Sequence, residues 1–564
     1  MLANCYIPNL GMKSFLLLLT LVIIHTFPLW NYTERLAGGL GDPLAHAAIG
    51  DWFCGNIVQG EWYTNKFQAP HGVDISGNYD SPFPFIATCA FTTLGSVFQF
   101  HLFTILQVLL IVISSFLVAR HFLKDKILQI AYVLFVWWTG FYIAKSHDHM
   151  TLLSQIWGAQ FVVFAIMAAN FKSLKSVLLN SFLLGLSFIG TFQNIPGLFV
   201  LTIGLALYRI FENPRQFKSV AVIGHISLGL ALSLTIFILA WYPMIQFHLA
   251  HPNPLLNPQN FRILFSLKFS DLFTPFSTHI FSSYFKPTYL GSESTNTLDI
   301  VIVAAFLGFA ATKKFWQSRL TLCLVAIATV YLYLALGPAF GLNEFIFKQF
   351  PFYLTRVPAR FALFFYLCIL LITFIHFDFL KNLKFKKYLG FLLIAYIFVA
   401  GPALNNLYFF PTVVINSFIP KKGLAEFKQL SDKNIVVNIP SSWAGDQSQN
   451  FLQLYHNKKI TSGYLAYTTY TEELYQKAMQ SPLLGYTGCK GQALEFTRTA
   501  FHTDFAQVKN YLVENNLTLF IFNKSTLFRD PSCKDLADWS LLLARQPWMT
   551  IVDENDAFVM TRIK

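Results

Sequence analysis

The sequence predicts an all-α polytopic membrane bundle that is followed by a soluble α/β domain. Of its 564 residues, 55% are hydrophobic and only 12% are charged, whereas soluble domains carry roughly 25% charged residues. Long apolar runs recur as far as residue 404 and then stop, and Lys and Arg gather in short connections between alternate runs. These observations predict a membrane-embedded part over residues 1–404 and a polar domain over residues 405–564.

We expect about eleven membrane spans, because a helix needs about 20 apolar residues to cross the bilayer. The first run is interpreted as a retained anchor rather than a signal peptide, since many spans follow it and no clear small-residue cleavage site closes it. The sequence Asn194-Ile195-Pro196 separates two adjacent spans, because proline punctuates helices. The expected spans are 14–31, 101–119, 127–145, 152–170, 176–193, 195–211, 219–243, 298–312, 319–338, 361–379 and 387–404.

The apolar stretch Phe83–Phe100 decides the orientation of every later span. If it crossed the membrane, all later basic connections would face outward, against the tendency of Lys and Arg to remain on the cytoplasmic side. We therefore expect this stretch to be re-entrant or interfacial, with the N-terminus inside and the C-terminal domain outside. The basic clusters then expected inside are Arg120/Lys124/Lys126, Lys172/Lys175, Arg209/Arg215/Lys218, Lys313/Lys314/Arg319 and Lys381/Lys384/Lys386/Lys387.

This topology leaves three long outward segments, at 32–100, 244–297 and 339–360, as the places to look for chemistry. Beyond residue 404, short apolar segments are typical of buried strands and alternate with helical patterns, which predicts a small α/β domain. The expected strands are Asn434–Ile439 and Thr518–Phe522, and the expected helices are 425–430, 505–514 and 534–545.

The net charge of +13 does not indicate a nucleic-acid partner. Most of the excess lies in short loops of the membrane part, where basic residues face anionic lipid, so membrane lipids are expected partners and nucleic acid is not. The seven cysteines show no metal-binding spacing. Cys89, Cys323 and Cys368 lie in apolar segments and are interpreted as small core residues, whereas Cys489 and Cys533 can pair if the C-terminal domain is exported.

The first outward segment carries the leading candidate for catalysis. Asp42 precedes a proline, and His46 follows one helical turn later, with Asp51 further along. A carboxylate at the membrane surface can act as a general base toward an acceptor hydroxyl. Asp before Pro is also a good helix N-cap, so the pattern alone leaves both roles open. His71 and Asp80, later in this segment, are further candidates for substrate binding.

Two other outward connections carry polar clusters. His147, Asp148 and His149 border a span, where such residues can polarise a phosphate or hold a divalent cation, with Asp148 and His149 as the only expected ligands. Asp148 can equally cap the next helix. Arg356 and Arg360 lie on the outer side, against the positive-inside bias, and guanidinium groups match phosphate oxygens. They can alternatively contact lipid headgroups or a carboxylate such as Glu344.

Taken in order, these motifs resemble those of bacterial multi-spanning proteins in or near the GT-C glycosyltransferase superfamily. The resemblance covers most of residues 30–380, and the α/β tail is similar to the exported C-terminal domain of these proteins. This chain lacks the paired Asp-Glu or Asp-x-Asp of some members, and it has Asp148-His149 where the family often has Gly-His. The motifs that carry the resemblance are Gly41-Asp42-Pro43, Pro70-His71-Gly72, His149 with Leu152-Leu153 and Trp157, and Arg356-Val357-Pro358-Ala359-Arg360-Phe361.

The resemblance implies a membrane glycosyltransferase in the bacterial inner membrane, with its C-terminal domain in the periplasm. It implies a polyprenyl-phosphate sugar as donor, an essential acid in the first outward segment, here Asp42, and a glycan, lipid or protein as acceptor. The chemistry of the guanidinium groups, rather than the resemblance, leads us to expect that Arg356 and Arg360 hold the donor phosphate. A divalent metal ion is a further expectation, and no other cofactor is expected. The alternatives are a non-enzymatic transporter or lipid flippase, and an envelope assembly protein whose exported domain binds a partner.

Overall fold

The computed structural model places the chain in a helical bundle that is followed by a small β-sheet with flanking helices. All structural statements below concern the residues that it describes. These are residues 9–39, 42–56, 60–67, 69, 72–78, 82–250, 262–273, 280, 298–349, 351–380, 383–417, 419–439, 447–461, 505–524, 527 and 533–564.

Helices dominate the described part of the chain up to residue 404. In the outward segments and the bundle they are α1 (Asn9–His25), α2 (Asp42–Asn56), α3 (Pro82–Thr88), α4 (Ser96–Phe122), α5 (Lys126–Trp137), α6 (Gly140–Asp148), α7 (Ser154–Met167), α8 (Leu174–Phe188), α9 (Ile195–Glu212), α10 (Val220–Ala250), α11 (Ile300–Ala310), α12 (Lys313–Trp316), α13 (Arg319–Ala335), α14 (Asn343–Ile346), α15 (Phe361–Asp378) and α16 (Leu383–Phe398).

Within the described residues, six helical stretches are long and apolar enough to cross a membrane, and a seventh arises if α5 and α6, bent by 44°, form one span. Shorter apolar helices include α8, α11 and α13. Each expected span overlaps one of these long or short apolar helices. The six long stretches are Ser96–Phe122, Met150–Met167, Phe192–Glu212, Val220–Phe247, Pro358–Asp378 and Phe385–Ala403.

Short polar residues start several of these helices and so fix the breaks between them. The Asp125 carboxylate accepts from the backbone N–H groups of Ile127 and Leu128, and the Thr139 hydroxyl accepts from that of Tyr142. Each contact satisfies N–H groups that the first turn of a helix leaves without a partner. The break at Trp138–Thr139 therefore lies between two capped helices, α5 and α6.

The stretch Phe83–Phe100 does not form one continuous helix. It comprises α3, a 3-10 helix over Cys89–Leu94, and the start of α4, and Gly95 separates the last two with a φ of 112°. A disulfide joins Cys89 to Cys54 at the end of α2. The interpretation of Cys89 as a core cysteine is therefore wrong, because an apolar neighbourhood in sequence does not reveal a partner 35 residues away.

The C-terminal region consists of a five-stranded mixed sheet and flanking helices. The elements are β5 (Ile435–Ile439), β6 (Lys459–Ile460), β7 (Leu519–Asn523), β8 (Met549–Glu554), β9 (Phe558–Ile563), α17 (Lys421–Gln429), α18 (Gln447–His456), α19 (Phe505–Glu514) and α20 (Lys534–Ala544). The strand order in the sheet is β6-β5-β7-β9-β8. Strands β5–β7 are parallel, whereas β8 and β9 are antiparallel additions. The two expected strands correspond to β5 and β7, and the three expected helices to α17, α19 and α20.

The sheet region is attached to the first outward segment by two backbone pairings. Strand β1 (Arg35–Ala37) pairs with β4 (Thr412–Val414). Further along, the Ala69 N–H donates to the Ile460 carbonyl at 2.9 Å, and the Ile460 N–H donates to the Lys66 carbonyl at 2.9 Å, so Lys66 and Ala69 are hydrogen-bonded to the edge at β6. In addition, α18 packs against α2. The C-terminal region thus contacts the helix that begins with Asp42. The remaining short pair is β2 (Tyr63–Thr64) with β3 (Val73–Asp74).

Candidate active site

The candidate site is centred on a contact between the start of α2 and the connection that follows α6. The Asp42 Oδ2 atom lies 3.1 Å from His149 Nδ1, and both side chains are partly buried, with 14% and 26% of their surfaces exposed. Asp42 is the first residue of α2, and His149 directly follows α6. The arrangement presents a carboxyl group beside an imidazole.

Two glycines allow this close approach. The Gly39 N–H donates to the His147 carbonyl at 2.6 Å, which ties the segment before α2 to the end of α6. Gly38 has a φ of +85°, and a Cβ there would lie 2.2 Å from Met150 Cε and 2.9 Å from the His147 carbonyl oxygen. A side chain at Gly38 would therefore push the two connections apart. The glycine turn thus sets the distance between Asp42 and His149.

A second polar cluster surrounds Arg356 and Arg360. Arg360 is buried, with 8% exposure, and its guanidinium donates to the Gln193 side-chain oxygen. Both arginines line one pocket together with Gln155 and Thr355. Glu344, an alternative partner for these arginines, pairs instead with Lys348 at 2.9 Å. The pocket therefore gathers two guanidinium groups with neutral polar side chains.

Another arginine holds the backbone that leads into this pocket. Arg262 donates through Nε to the Thr355 carbonyl at 2.8 Å and through its second amino group to the Tyr353 carbonyl. Nearby, the Ala359 N–H donates to the Phe265 carbonyl at 3.0 Å. Burial lowers the pKa of Arg262. Arg262 and Phe265 thus contact the backbone of residues 353–359.

A short helical connection links the two clusters. His149, which contacts Asp42, is followed by a 3-10 helix over Met150–Leu153 and then by α7, whose second residue is Gln155. Six residues with this geometry separate His149 from Gln155 by roughly 10 Å along the helix axis. The connection that carries His149 therefore leads directly to Gln155 at the start of α7, which lines the arginine pocket.

The other candidate residues occupy more peripheral positions. His46 lies one turn after Asp42 on α2 and is half-buried. Asp51 is nine residues after Asp42, on the opposite side of α2, where its carboxylate accepts from the Ser96 hydroxyl at 2.7 Å. This contact fastens the start of α4 and gives Asp51 a structural partner away from Asp42. His71 and Asp80 lie outside the described residues.

His147 and Asp148, the other candidates next to His149, are half-buried at the end of α6. His147 Nδ1 lies 2.9 Å from the Ile143 carbonyl, and the His147 backbone carbonyl accepts from the Gly39 N–H in the glycine turn. Asp148 is the last residue of α6, so it does not cap the following helix, which begins after His149. A Cβ at Gly39 would lie 3.6 Å from the Asp148 carboxylate. Asp148 thus borders the glycine turn.

A divalent metal is not supported by the side chains that meet here. Among the described residues, no group of three His, Cys, Asp or Glu side chains comes together as a cation site. Asp42 with His149 supplies two donors, whereas protein-only Ca²⁺ sites use six to eight oxygens and Zn²⁺ sites at least three protein ligands. No step below is routed through a metal ion.

Gln155 and Gln193 are the site residues that the sequence did not reveal. Each is a single amide within or beside an apolar run, and such residues are ordinarily satisfied inside a bundle. The sequence signal that could have found Gln155 and Gln193 is a helix start. Helix α7 begins directly after Leu153 and α9 directly after Asn194, so both glutamines lie at a helix end.

Comparison with known proteins places this architecture. No protein-family model matches the chain, and no curated protein matches its sequence. The arabinofuranosyltransferase AftD from mycobacteria matches over 99% of this chain, with a TM-score of 0.59 at 12% identity. ArnT from Cupriavidus metallidurans, solved with bound undecaprenyl phosphate, matches over 97% of both chains, with a TM-score of 0.51 at 12% identity. The chain has a GT-C-like fold.

A third GT-C structure agrees with this assignment. The oligosaccharyltransferase AglB from Archaeoglobus fulgidus, in complex with an inhibitory peptide and a dolichol-phosphate, matches over 96% of this chain and 72% of its own, with a TM-score of 0.50 at 12% identity. The chain spans only 40% of the length of AftD. These likenesses establish the fold and, with the apolar helices, an integral membrane protein. They do not identify a reaction.

Proposed function

We propose that this GT-C-like protein is a membrane glycosyltransferase that moves a sugar from a polyprenyl-phosphate donor to an acceptor on the outer face of a bacterial inner membrane. The observation that carries the proposal is the contact between Asp42 and His149, on a connection that leads into α7, whose second residue, Gln155, lines a pocket with two arginines. A base and a phosphate pocket are what displacement of a phosphate leaving group requires.

In the proposed reaction, Asp42 takes the proton of the acceptor hydroxyl as its oxygen attacks the anomeric carbon of the donor sugar. The bond from that carbon to the phosphate oxygen breaks, and the phosphate leaves with the electron pair. His149, 3.1 Å from Asp42, orients the carboxylate. Arg356 and Arg360 hold the donor phosphate and stabilise the charge that develops on it. His46, at the same end of α2, would contact the acceptor.

The disulfides support the proposed outward orientation. Cys54–Cys89 ties together two parts of the first outward segment, and Cys533 in the C-terminal domain is also disulfide-bonded. Disulfides persist in oxidising compartments such as the periplasm. Cys323 and Cys368, which lie in apolar helices, are free. Pairing of Cys533 with Cys489 stays a prediction, because Cys489 lies outside the described residues.

The proposal includes about eleven membrane crossings, an inside N-terminus and an exported domain over residues 405–564. The long spans and the shorter apolar helices together accommodate this number. The inner ends of the helices are held by contacts at basic connections. Asp378, at the end of α15, accepts from the backbone N–H of Lys124 at 3.0 Å and lies 3.5 Å from Lys386.

A transporter or flippase would require polar groups available near the bilayer midplane. The three candidates for that role are engaged in local contacts. Asp378 braces the inner connections, His225 Nδ1 lies 3.0 Å from the Phe171 carbonyl, and His25 Nε2 lies 2.7 Å from the Tyr142 hydroxyl. This favours surface chemistry over a transport pathway.

The decisive variant is Asp42→Asn. Asparagine caps helices about as well as aspartate, so the fold should be retained while the base is lost. We expect donor-dependent transfer to fall by at least about a hundredfold, because general-base catalysis contributes about 10²–10⁴-fold. Asp51→Asn is the matched control on the same helix, and it should retain transfer. Full product from the Asp42 variant would reject Asp42 as the base.

A further inference from the structure

The pocket around Arg356 and Arg360 is built at the beginnings of three long helices. Gln155 is the second residue of α7, Gly197 is the third residue of α9, and Phe361 is the first residue of α15, and all three line the pocket. A 3-10 turn precedes each of these helices, and the first N–H of α7, α9 and α15 donates to a carbonyl of that turn. The groups that could contact a ligand in the pocket are therefore side chains.

The charge of the pocket favours an anion. Two guanidinium groups line it, and no Asp or Glu is among the described residues that do so. Phosphate oxygens match guanidinium geometry and can accept several hydrogen bonds at once.

Two buried polar side chains in the pocket add a specific observation. Gln155 is 1% exposed, and its Oε1 atom has no hydrogen-bond partner among the described residues. Thr355 is 6% exposed, and its Oγ1 atom likewise has none there. Leaving a buried polar group unsatisfied is costly, and such groups are rare in folded proteins. An amide that can turn its NH₂ inward and a hydroxyl are both donors suited to phosphate.

We infer that Gln155 and Thr355 complete a phosphate pocket around the two arginines. The inference deepens the proposed function and rests on it for the identity of the lipid. Gln155 lies between this pocket and the connection to His149, so it would contact the phosphate on the side that faces the sugar. The shared chemistry is a phosphate group, carried by a polyprenyl phosphate, a phospholipid headgroup or inorganic phosphate.

The test compares Gln155→Leu with Gln160→Leu, two changes on α7 at similarly buried amides. Gln160 is 2% exposed, and its side-chain oxygen accepts from the Tyr132 hydroxyl at 2.9 Å. Gln155→Leu should leave Tm unchanged or raise it, because it removes an unpaired polar group, and should raise the Kd for undecaprenyl phosphate about tenfold. Gln160→Leu should lower Tm and leave that Kd within about twofold.

Gln155→Glu gives a second reading at constant size. A carboxylate beside the ligand phosphate should weaken binding more than leucine does, since like charges repel. Binding is measured in nanodiscs with undecaprenyl phosphate, phosphatidylglycerol or inorganic phosphate as separate probes. Equal loss for phosphatidylglycerol would identify a headgroup site and overturn the polyprenyl assignment.

The outcomes separate this inference from the proposed function. A parent protein that binds undecaprenyl phosphate through Gln155 but transfers no sugar would support the pocket and overturn the glycosyltransferase proposal. A parent that transfers sugar, with both Gln155 variants keeping the parental Kd and donor KM, would overturn the pocket inference and leave the proposed function standing.

Discussion

Replacement of Arg360 by lysine tests how the pocket recognises its ligand. Arg360 is buried, and its guanidinium donates to the Gln193 side chain while lining the pocket. Lysine keeps the charge but loses the planar arrangement of donors. If one charge-assisted hydrogen bond to the donor phosphate is lost, the cost is about 1.5–3 kcal/mol. At about 1.4 kcal/mol per factor of ten, kcat/KM for the donor should fall roughly ten- to a hundredfold.

The matched control is Arg209→Lys. Arg209 also donates through two amino groups to backbone carbonyls, those of Met167 at 3.2 Å and Ala169 at 3.0 Å, but at the opposite end of α9. It should lower stability without changing donor use. The assay is sugar transfer in proteoliposomes over a range of donor concentrations, with matched protein amounts. Donor kcat/KM for Arg360→Lys within about twofold of the parent would refute the phosphate role of Arg360.

Three further predictions address the disulfide, the exported domain and the topology. Cys54→Ser should lower the free energy of unfolding by about 2–4 kcal/mol, measured by thermal or denaturant unfolding. Cys323→Ser, at a free cysteine, should have little effect. Equal effects of the two changes would argue against the Cys54–Cys89 bond. Burial lowers the pKa of His456 to about 3, so the unfolded state binds the proton first as pH falls below about 6.5. The free energy of unfolding should therefore decrease between about pH 6.5 and 3, by up to about 1.4 kcal/mol per pH unit. A His456→Asn variant with the same pH dependence as the parent would contradict this. A cysteine at the exposed Lys433 should react with an impermeant reagent in intact cells, and one at the exposed Lys172 only after permeabilisation; the reverse pattern would invert the orientation.

Local patterns in the sequence were sufficient for most secondary-structure elements. The expected helix at 505–514 is α19, and the expected strand at 518–522 is β7 shifted by one residue. Apolar runs likewise located the helices of the bundle, because lipid exposure and burial both demand apolar side chains over a whole span. Bounds were less accurate where capping residues decide them. The helix expected to begin at residue 101 begins at Ser96, directly after Gly95.

Contacts between distant segments could not be predicted from one sequence. Arg35 pairs with Val414 across most of the chain, and Cys54 bonds to Cys89 in a stretch that reads as apolar. Neither pairing leaves a local period or a composition signal. Both depend on how the first outward segment folds back over the bundle.

The candidate site shows the same division. Asp42, His149 and the two arginines were recognisable because charged residues at the outer ends of spans are conspicuous. The contact between Asp42 and His149 was not, since it depends on the glycine turn at Gly38. Gln155 was missed because a lone amide beside an apolar run has an ordinary structural explanation.

The most direct measurement is transfer of labelled sugar by the purified parent protein from polyprenyl-phosphate donors in proteoliposomes, with a mixture of lipid, glycan and peptide acceptors supplied from outside. The account predicts a labelled product and release of polyprenyl phosphate, both abolished in Asp42→Asn. Absence of transfer from every polyprenyl-phosphate sugar, by a folded parent that has the Cys54–Cys89 bond, would contradict the proposal that this GT-C-like protein is a glycosyltransferase.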